Sequence, residues 1–155
     1  MLDALKPEDI NVALLAGGKS GERTISLASG KGVEQGLKAA GFPVTFLDPA
    51  NKQDLVALIE GDFDVAFLAL HGKYGEDGTI QGLLEMIDLP YTGPGVWSSA
   101  TAIDKPKAKL YYERAGIPTP RSLILESSDA RAADVIDAVG APCVVKAATE
   151  GSAQG

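Results

Sequence analysis

One stretch constrains this 155-residue chain more than any other: an apolar run at 65–70 that ends in the loop HGKYGEDG at 71–78. An uninterrupted apolar run of this length is typical of a strand buried on both faces in a parallel sheet. Three glycines among the eight loop residues indicate a sharply bent backbone. Because open parallel sheets bind ligands at the carboxyl ends of their strands, the stretch predicts a site here. His71, the only histidine of the chain, lies in it.

A second short segment, NVALL at 11–15, is apolar after its first residue and leads into another glycine-bent loop, GGKSGER at 17–23. Apolar spacing then predicts strands and helices in alternation. The predicted elements are, in order, strand 11–15, helix 24–40, strand 44–47, helix 53–59, strand 65–70 and helix 80–87. Short connections between alternating strands and helices predict a doubly wound, Rossmann-like parallel sheet with helices on both faces. Both glycine loops then lie at the same edge of this α/β sheet.

The pattern changes after residue 90, where prolines and glycines interrupt the alternation. The later predicted elements are a brief edge strand at 91–92, helix 96–103, a helix capped by Asp104 that ends at Gly116, strand 122–125, helix 130–139 capped by Ser128 or Asp129, and strand 143–147. We predict a first domain at 1–102 and the incomplete start of a second, α+β domain at 103–155. A strand, a helix and a strand cannot cover both faces of a sheet, so the chain is expected to be the front part of a longer protein.

Composition excludes several classes of function. The net charge of −7 argues against a nucleic-acid partner, which needs a basic face. No apolar run approaches the roughly 20 residues of a membrane helix, and the first ten residues carry no secretory signal, so we expect no membrane partner and a cytoplasmic location. The single cysteine, Cys143, begins an apolar segment and is interpreted as a small core residue. One histidine cannot form a zinc cluster.

Glu22 lies where the loop at 17–23 opens the first predicted helix. The loop matches neither GxGxxG nor GxxxxGK[ST], so no nucleotide-binding fingerprint is met. A helix start favours an acidic side chain through its dipole alone. Glu22 therefore has two interpretations: a carboxylate that stabilises the helix, or one that holds the ammonium group of a ligand at the edge shared with His71.

Lys146 ends an apolar segment and is followed by a small, flexible loop that contains Gly151 and Ser152. One interpretation is a surface lysine whose stem covers apolar atoms. The other is a phosphate clamp, in which the ammonium neutralises charge and loop N–H groups surround the oxygens.

Together these motifs resemble the D-alanine–D-alanine ligases of the ATP-grasp superfamily. The matching segments are 17–27, 71–82, 90–93, 104–109, 116–120 and 145–152. The HGxxGEDG run is highly specific, whereas the other segments are moderately specific alone and strongly specific together. The resemblance implies a pre-ATP-grasp, substrate-binding first domain followed by the truncated beginning of an ATP-grasp domain.

The resemblance also implies a reaction. Two D-alanines would be ligated with ATP, through an acyl phosphate, to the dipeptide used in peptidoglycan synthesis. Magnesium would be required, with its ligands beyond residue 155, and the protein would be a homodimer. The implied substrate-binding residues are Glu22, His71, Gly72 and Ser152, of which Glu22 and Ser152 are also catalytic, and the implied ATP-binding residues are Lys105, Lys146, Glu150 and Gly151.

Two alternatives stay open. The second substrate could be D-lactate or D-serine instead of D-alanine. The chain could also be a non-catalytic module that holds a small zwitterion with Glu22 and His71. For the ligase hypothesis, we expect the 155 residues alone to form no dipeptide.

Overall fold

A parallel sheet organises the first part of the chain. In the computed structural model, which describes residues 6–127 and 129–151, it consists of three strands: β1 (Val12–Leu15), β2 (Val44–Leu47) and β3 (Val65–Leu68). Their order in the sheet is β2-β1-β3. The predicted edge strand at 91–92 is reduced to one parallel bridge, between Ala66 and Tyr91.

Helices α1 (Arg23–Ala39), α2 (Lys52–Glu60) and α3 (Thr79–Met86) connect these strands or follow them. A short 3-10 turn precedes β1. The Asn51 side chain caps α2 by accepting a hydrogen bond from the backbone N–H of Gln53, at 2.9 Å. Gly41 follows the end of α1 with a φ of +93°, the left-handed conformation that terminates helices.

Side chains of β1 alternate between the two faces of the sheet. Ala13 and Leu15 lie in a core cluster with α2 and α3 residues such as Leu58 and Leu84. Leu14 lies on the other face, in a cluster packed against α1. The sheet is therefore covered by helices on both sides, which confirms the predicted doubly wound architecture. Within the described ranges, no helix combines the length and apolarity needed to cross a membrane.

The chain divides into two compact units, residues 1–100 and 101–155. Helix α4 (Val96–Ile103) lies across this division, and the domain boundary drawn from the sequence at 102–103 stays a prediction. The second unit contains α5 (Lys105–Arg114) and α6 (Ala132–Val139). The predicted cap of α5 is confirmed, since the Asp104 carboxylate accepts the N–H of Lys107 at 3.1 Å.

Other predictions for the second unit are wrong. No strand forms at 122–125 or 143–147, and Cys143 is exposed, not buried. Apolar side chains in these segments face solvent; Val144 and Val145, for example, are 79% and 78% exposed. Strand propensity needs a paired neighbour and a covered face to take effect, and neither segment has them here.

Helix α6 also begins later than predicted. Its first residue is Ala132, and its N-cap is Arg131, which makes no side-chain cap hydrogen bond. Asp129 is therefore not the cap, and Ser128 lies outside the described residues. The first turn instead contains a two-hydrogen-bond ion pair between Arg131 and Asp134, with distances of 2.9 and 2.6 Å.

Candidate functional site

Two loops meet at the carboxyl edge of the sheet. The first loop (16–22) joins β1 to α1, and the second loop (69–78) joins β3 to α3. The Ser20 hydroxyl of the first loop donates a 2.7 Å hydrogen bond to the backbone carbonyl of His71 in the second. The prediction that both glycine loops share one edge of the sheet is confirmed.

Ser26 provides the second connection between the two loops. It lies on α1, is fully buried, and donates a 2.6 Å hydrogen bond to the carbonyl of Ala69. The same hydroxyl accepts the backbone N–H of Gly17, at 2.8 Å. One side chain therefore links the ends of β1 and β3.

The Glu22 carboxylate lies against the second loop. Glu22 is the N-cap residue of α1, but its side chain makes no cap hydrogen bond, and the residue is only 5% exposed. A Cβ atom built on Gly72 would overlap Glu22 Oε2. Of the two interpretations from sequence, simple capping of the helix does not describe this geometry, because the carboxylate points toward the backbone of the second loop.

His71 is half-buried, with a polar group beside each ring nitrogen. Its Nε2 lies 3.1 Å from the Ser29 hydroxyl on α1. Its Nδ1 lies 3.9 Å from one carboxylate oxygen of Glu76, whose other oxygen accepts the N–H of Gly72 at 2.7 Å. Since that N–H is engaged by Glu76, Gly72 contributes to the site through its missing side chain, which leaves room for Glu22.

The second loop is braced by its own acidic residues. Asp77 accepts the N–H of Tyr74 at 2.8 Å and that of Thr79 at 3.0 Å. Burial alone would raise the pKa of Asp77, but these hydrogen bonds outweigh burial and hold its pKa below the ordinary value. Tyr74 has a φ of +68°, which a non-glycine residue adopts only when its surroundings impose it. The bent loop is therefore fixed by carboxylates as well as by glycines.

An ion pair missed by the sequence analysis anchors the first loop from the other side. Arg23 contacts Asp48 at 2.6 Å and also donates to the carbonyl of Gly18 at 2.7 Å. The Gly18 N–H in turn donates to Asp48, at 2.9 Å. Asp48 directly follows β2, so the rule used for β1 and β3, that polar residues at strand ends build sites, would have found it.

The Asp48 ion pair gives the fold a specific acid sensitivity. Burial alone would raise the pKa of Asp48, but hydrogen bonds from Arg23 and from two backbone N–H groups outweigh it and lower the pKa. Ionised Asp48 therefore stabilises the fold above the unfolded-state pKa of about 3.9, and this is lost as pH falls through the lower folded-state pKa. We expect Asp48→Asn to lower the midpoint of thermal unfolding at pH 7 by several degrees, and by progressively less below pH 4.

Thermal unfolding followed by circular dichroism between pH 2 and 7 measures this difference. Asp62→Asn, at an exposed residue of the same unit, is the control and should track the wild type. An Asp48→Asn deficit that persists undiminished at pH 2 contradicts the assignment.

A cavity of about 350 Å³ lies between the first loop, α2 and α3. Its walls are mainly apolar, and its polar side chains come from the two loops and from Thr79 at the start of α3. The apolar lining includes Leu55, Leu70, Ile80 and Leu83, and the polar lining includes Lys19, His71, Lys73 and Tyr74. The volume falls at the lower end of the range of small-molecule sites.

The second unit gathers several predicted ATP-binding residues. The Lys105 ammonium donates to the carbonyls of Ala147 and Glu150, at 2.9 and 2.6 Å. The Lys105 backbone N–H donates to the carbonyl of Ala148, at 3.0 Å. Lys105 therefore holds the segment that follows Lys146. Lys146 and Glu150 are exposed and Gly151 is half-buried, whereas Ser152 lies outside the described residues.

The described part of the chain groups no three histidine, cysteine or acidic side chains in a position to hold a metal ion. The described residues therefore offer no candidate cluster of magnesium ligands. The predicted site residues lie in two sets, one in each unit: Glu22, His71 and Gly72 in the first, and Lys105, Lys146, Glu150 and Gly151 in the second.

Comparisons with known proteins identify relatives of this chain. The family model described as D-ala D-ala ligase N-terminus matches residues 50–94. A D-alanine–D-alanine ligase from Desulforamulus reducens is 48% identical over an alignment of 155 positions. The alignment covers 94% of this chain and 49% of that protein. A ligase of the same name from Aromatoleum aromaticum is 50% identical over 144 residues, and the match covers 93% of this chain and 46% of that protein.

Solved structures give the same result. The crystal structure of D-alanine–D-alanine ligase from Bacillus anthracis matches with a TM-score of 0.80 and 36% identity, over 94% of this chain and 48% of that one. The same ligase complexed with ATP matches with a TM-score of 0.78 and 35% identity, and the match covers 92% of this chain and 48% of that one. The chain spans about half the length of the curated relatives it matches. By sequence and by fold, the chain belongs to the D-alanine–D-alanine ligase family and corresponds to its N-terminal part.

Proposed function

We propose that this protein acts in the ATP-dependent ligation of two D-alanines to D-alanyl-D-alanine, for the synthesis of peptidoglycan precursors. One observation carries the proposal: the buried carboxylate of Glu22 lies against the glycine-bent loop that presents His71. A carboxylate and an imidazole held at one edge are complementary to the two charged ends of an amino acid. The dipole of α1 favours an acidic side chain at the helix start, but it does not require that the Glu22 carboxylate point toward the second loop.

In this proposal, Glu22 binds the ammonium group of the first D-alanine through a charge-assisted hydrogen bond. His71 lies beside the substrate carboxylate. Gly72 permits the close approach of the Glu22 side chain, because any Cβ atom there would overlap its Oε2. Ser152 is assigned the orienting role that the family resemblance implies for it.

The second unit is assigned to the phosphates of ATP. Lys146 offers an exposed ammonium, and Lys105 positions the segment that carries Glu150 and Gly151. ATP supplies the phosphoryl group that turns the carboxylate of the first D-alanine into an acyl phosphate. The amine of the second D-alanine then attacks that carbonyl carbon, the peptide bond forms, and phosphate leaves.

The surroundings of the reaction are part of the same proposal. Magnesium, with ligands outside this chain, would neutralise the phosphates, the protein would be a homodimer, and the location would be the cytoplasm, where ATP is abundant. Because the chain spans about half the length of its relatives, we do not expect these 155 residues alone to complete the reaction.

Isothermal titration calorimetry tests the proposal on the gene product that carries this sequence. We expect D-alanine and a non-hydrolysable ATP analogue both to bind. Glu22→Gln should weaken D-alanine binding about tenfold or more, and Lys146→Ala should weaken nucleotide binding by a similar factor, since each removes a charged hydrogen-bonding group. Lys107→Ala, at an exposed lysine on α5, is the matched control and should leave nucleotide affinity unchanged.

The alternatives give different outcomes in the same experiment. D-alanine binding that is lost in Glu22→Gln, without any nucleotide binding, supports the non-catalytic module and contradicts the ligase. Product analysis after incubation with ATP, magnesium and D-alanine, with D-lactate or D-serine added in turn, identifies the second substrate. Release of one ADP for each D-alanyl-D-alanine formed is the expected result.

A further inference from the structure

His71 is held from a helix as well as from its own loop. The Ser29 hydroxyl reaches its Nε2 from the second turn of α1, at 3.1 Å. Both residues are half-buried, so the contact is partly shielded from water. Ser29 lies on α1, beyond the loop at 17–23, and neither of the two sets of predicted site residues includes it.

Ser29 lies three residues after Ser26, and side chains with this spacing are neighbours on a helix surface. Ser26 holds the second loop by its backbone, through the carbonyl of Ala69. Ser29 holds the same loop by the side chain of His71. One face of α1 therefore fixes both where the loop lies and how its imidazole is turned.

Glu76 acts on the opposite side of the ring. One of its oxygens is occupied by the N–H of Gly72, at 2.7 Å, which leaves the other 3.9 Å from Nδ1 of His71. This distance is too long for a hydrogen bond, but the negative charge of an ionised carboxylate attracts a proton to the nearer ring nitrogen. A proton on Nδ1 is therefore favoured by this arrangement, and Nε2 is then left as the acceptor for the Ser29 hydroxyl.

We propose that Ser29 is a positioning residue for His71: its hydroxyl donates to Nε2 and, with Glu76 beside Nδ1, fixes the ring in its Nδ1–H tautomer. Neutral imidazole in water favours the other tautomer, Nε2–H, so the proposal has a definite spectroscopic signature. Its consequence for catalysis rests on the proposed function, in which His71 lies beside the carboxylate of the first D-alanine. Ser29 would then set the orientation of a substrate-binding group without touching substrate.

Nitrogen-15 NMR of the 155-residue chain tests the tautomer directly, because His71 is its only histidine. At pH 8 we expect the wild type to show the Nδ1–H tautomer as the main form. Ser29→Ala should move both ring nitrogen shifts toward the Nε2–H form, and Ser29→Thr, which keeps a hydroxyl, should restore the wild-type shifts. Ser98→Ala, at an exposed serine on α4, is the control for loss of a helical hydroxyl.

Two results would overturn the proposal. The first is a wild-type ring that is mainly Nε2–H, and this outcome decides the matter even if Ser29→Ala fails to fold. The second is a folded Ser29→Ala variant, with a wild-type thermal transition, whose imidazole shifts are unchanged.

Kinetics on the gene product that carries this sequence test the consequence for catalysis. We expect Ser29→Ala to raise the KM for the first D-alanine about three- to tenfold, the scale of one hydrogen bond, with kcat within about twofold of wild type. If Ser29→Thr raises KM and changes kcat by the same factors as Ser29→Ala, the hydroxyl has no role in positioning His71. If the gene product forms no dipeptide, the proposed function fails, whereas the tautomer measurement still decides whether Ser29 positions His71.

Discussion

Gly30→Ala is expected to destabilise the first unit by about 2 kcal/mol, although alanine is the better helix former. Gly30 lies buried in α1, where a Cβ atom would overlap the Cβ of Ala16 and lie 2.9 Å from Cε2 of Phe46. The Cβ of Ala16 belongs to a fully buried residue and cannot rotate away. Overpacking of this kind costs about 1–3 kcal/mol, which exceeds the roughly 1 kcal/mol that alanine gains over glycine in a helix.

Gly32→Ala is the matched control on the same helix. A Cβ atom at Gly32 would meet nothing within 4 Å, so only the helix propensity changes. We expect this variant to be more stable than the wild type by up to about 1 kcal/mol. Urea unfolding followed by circular dichroism gives both values, and the two variants should shift the midpoint in opposite directions. A Gly30→Ala protein as stable as Gly32→Ala would show that α1 does not approach the sheet this closely.

Gly72→Ala is expected to lower D-alanine affinity about tenfold to hundredfold in the gene product that carries this sequence. The new Cβ atom would overlap Glu22 Oε2, so the carboxylate must move away from the place where the substrate ammonium binds. Loss of a hydrogen bond to a charged group costs about 1.5–3 kcal/mol, which corresponds to this range. Titration calorimetry with D-alanine measures it.

The backbone at Gly72 adds a separate cost. Its φ is +67°, a left-handed conformation that costs alanine about 1–2 kcal/mol. Gly116→Ala is the matched control for this strain, because Gly116 has a φ of +69° and open space around its Cβ position. It should lose similar stability and keep D-alanine affinity. Equal affinity losses in the two variants would mean that strain, and not displacement of Glu22, explains the effect.

The amino-acid sequence by itself determined the sheet of the first unit and the location of the candidate site. Each core strand is a short apolar run that ends at glycines or polar residues, so its length and its buried faces are encoded locally. The strand predicted at 44–47 matches β2 residue for residue. Because parallel strands end at one edge, the placement of Glu22 near the loop of His71 followed from chain order alone.

Only the tertiary structure decided which side chains hold that edge together. The link from Ser29 to His71 joins residues 42 positions apart in the chain, and that from Arg23 to Asp48 spans 25, so no local pattern specifies either. The segments at 122–125 and 143–147 illustrate the same limit in the opposite sense, since their strand-like composition produced no strand. Apolar patterning is a property of a single segment, whereas a long-range hydrogen bond or a strand pairing requires a second segment. Only the folded chain determines which second segment lies close enough to form it.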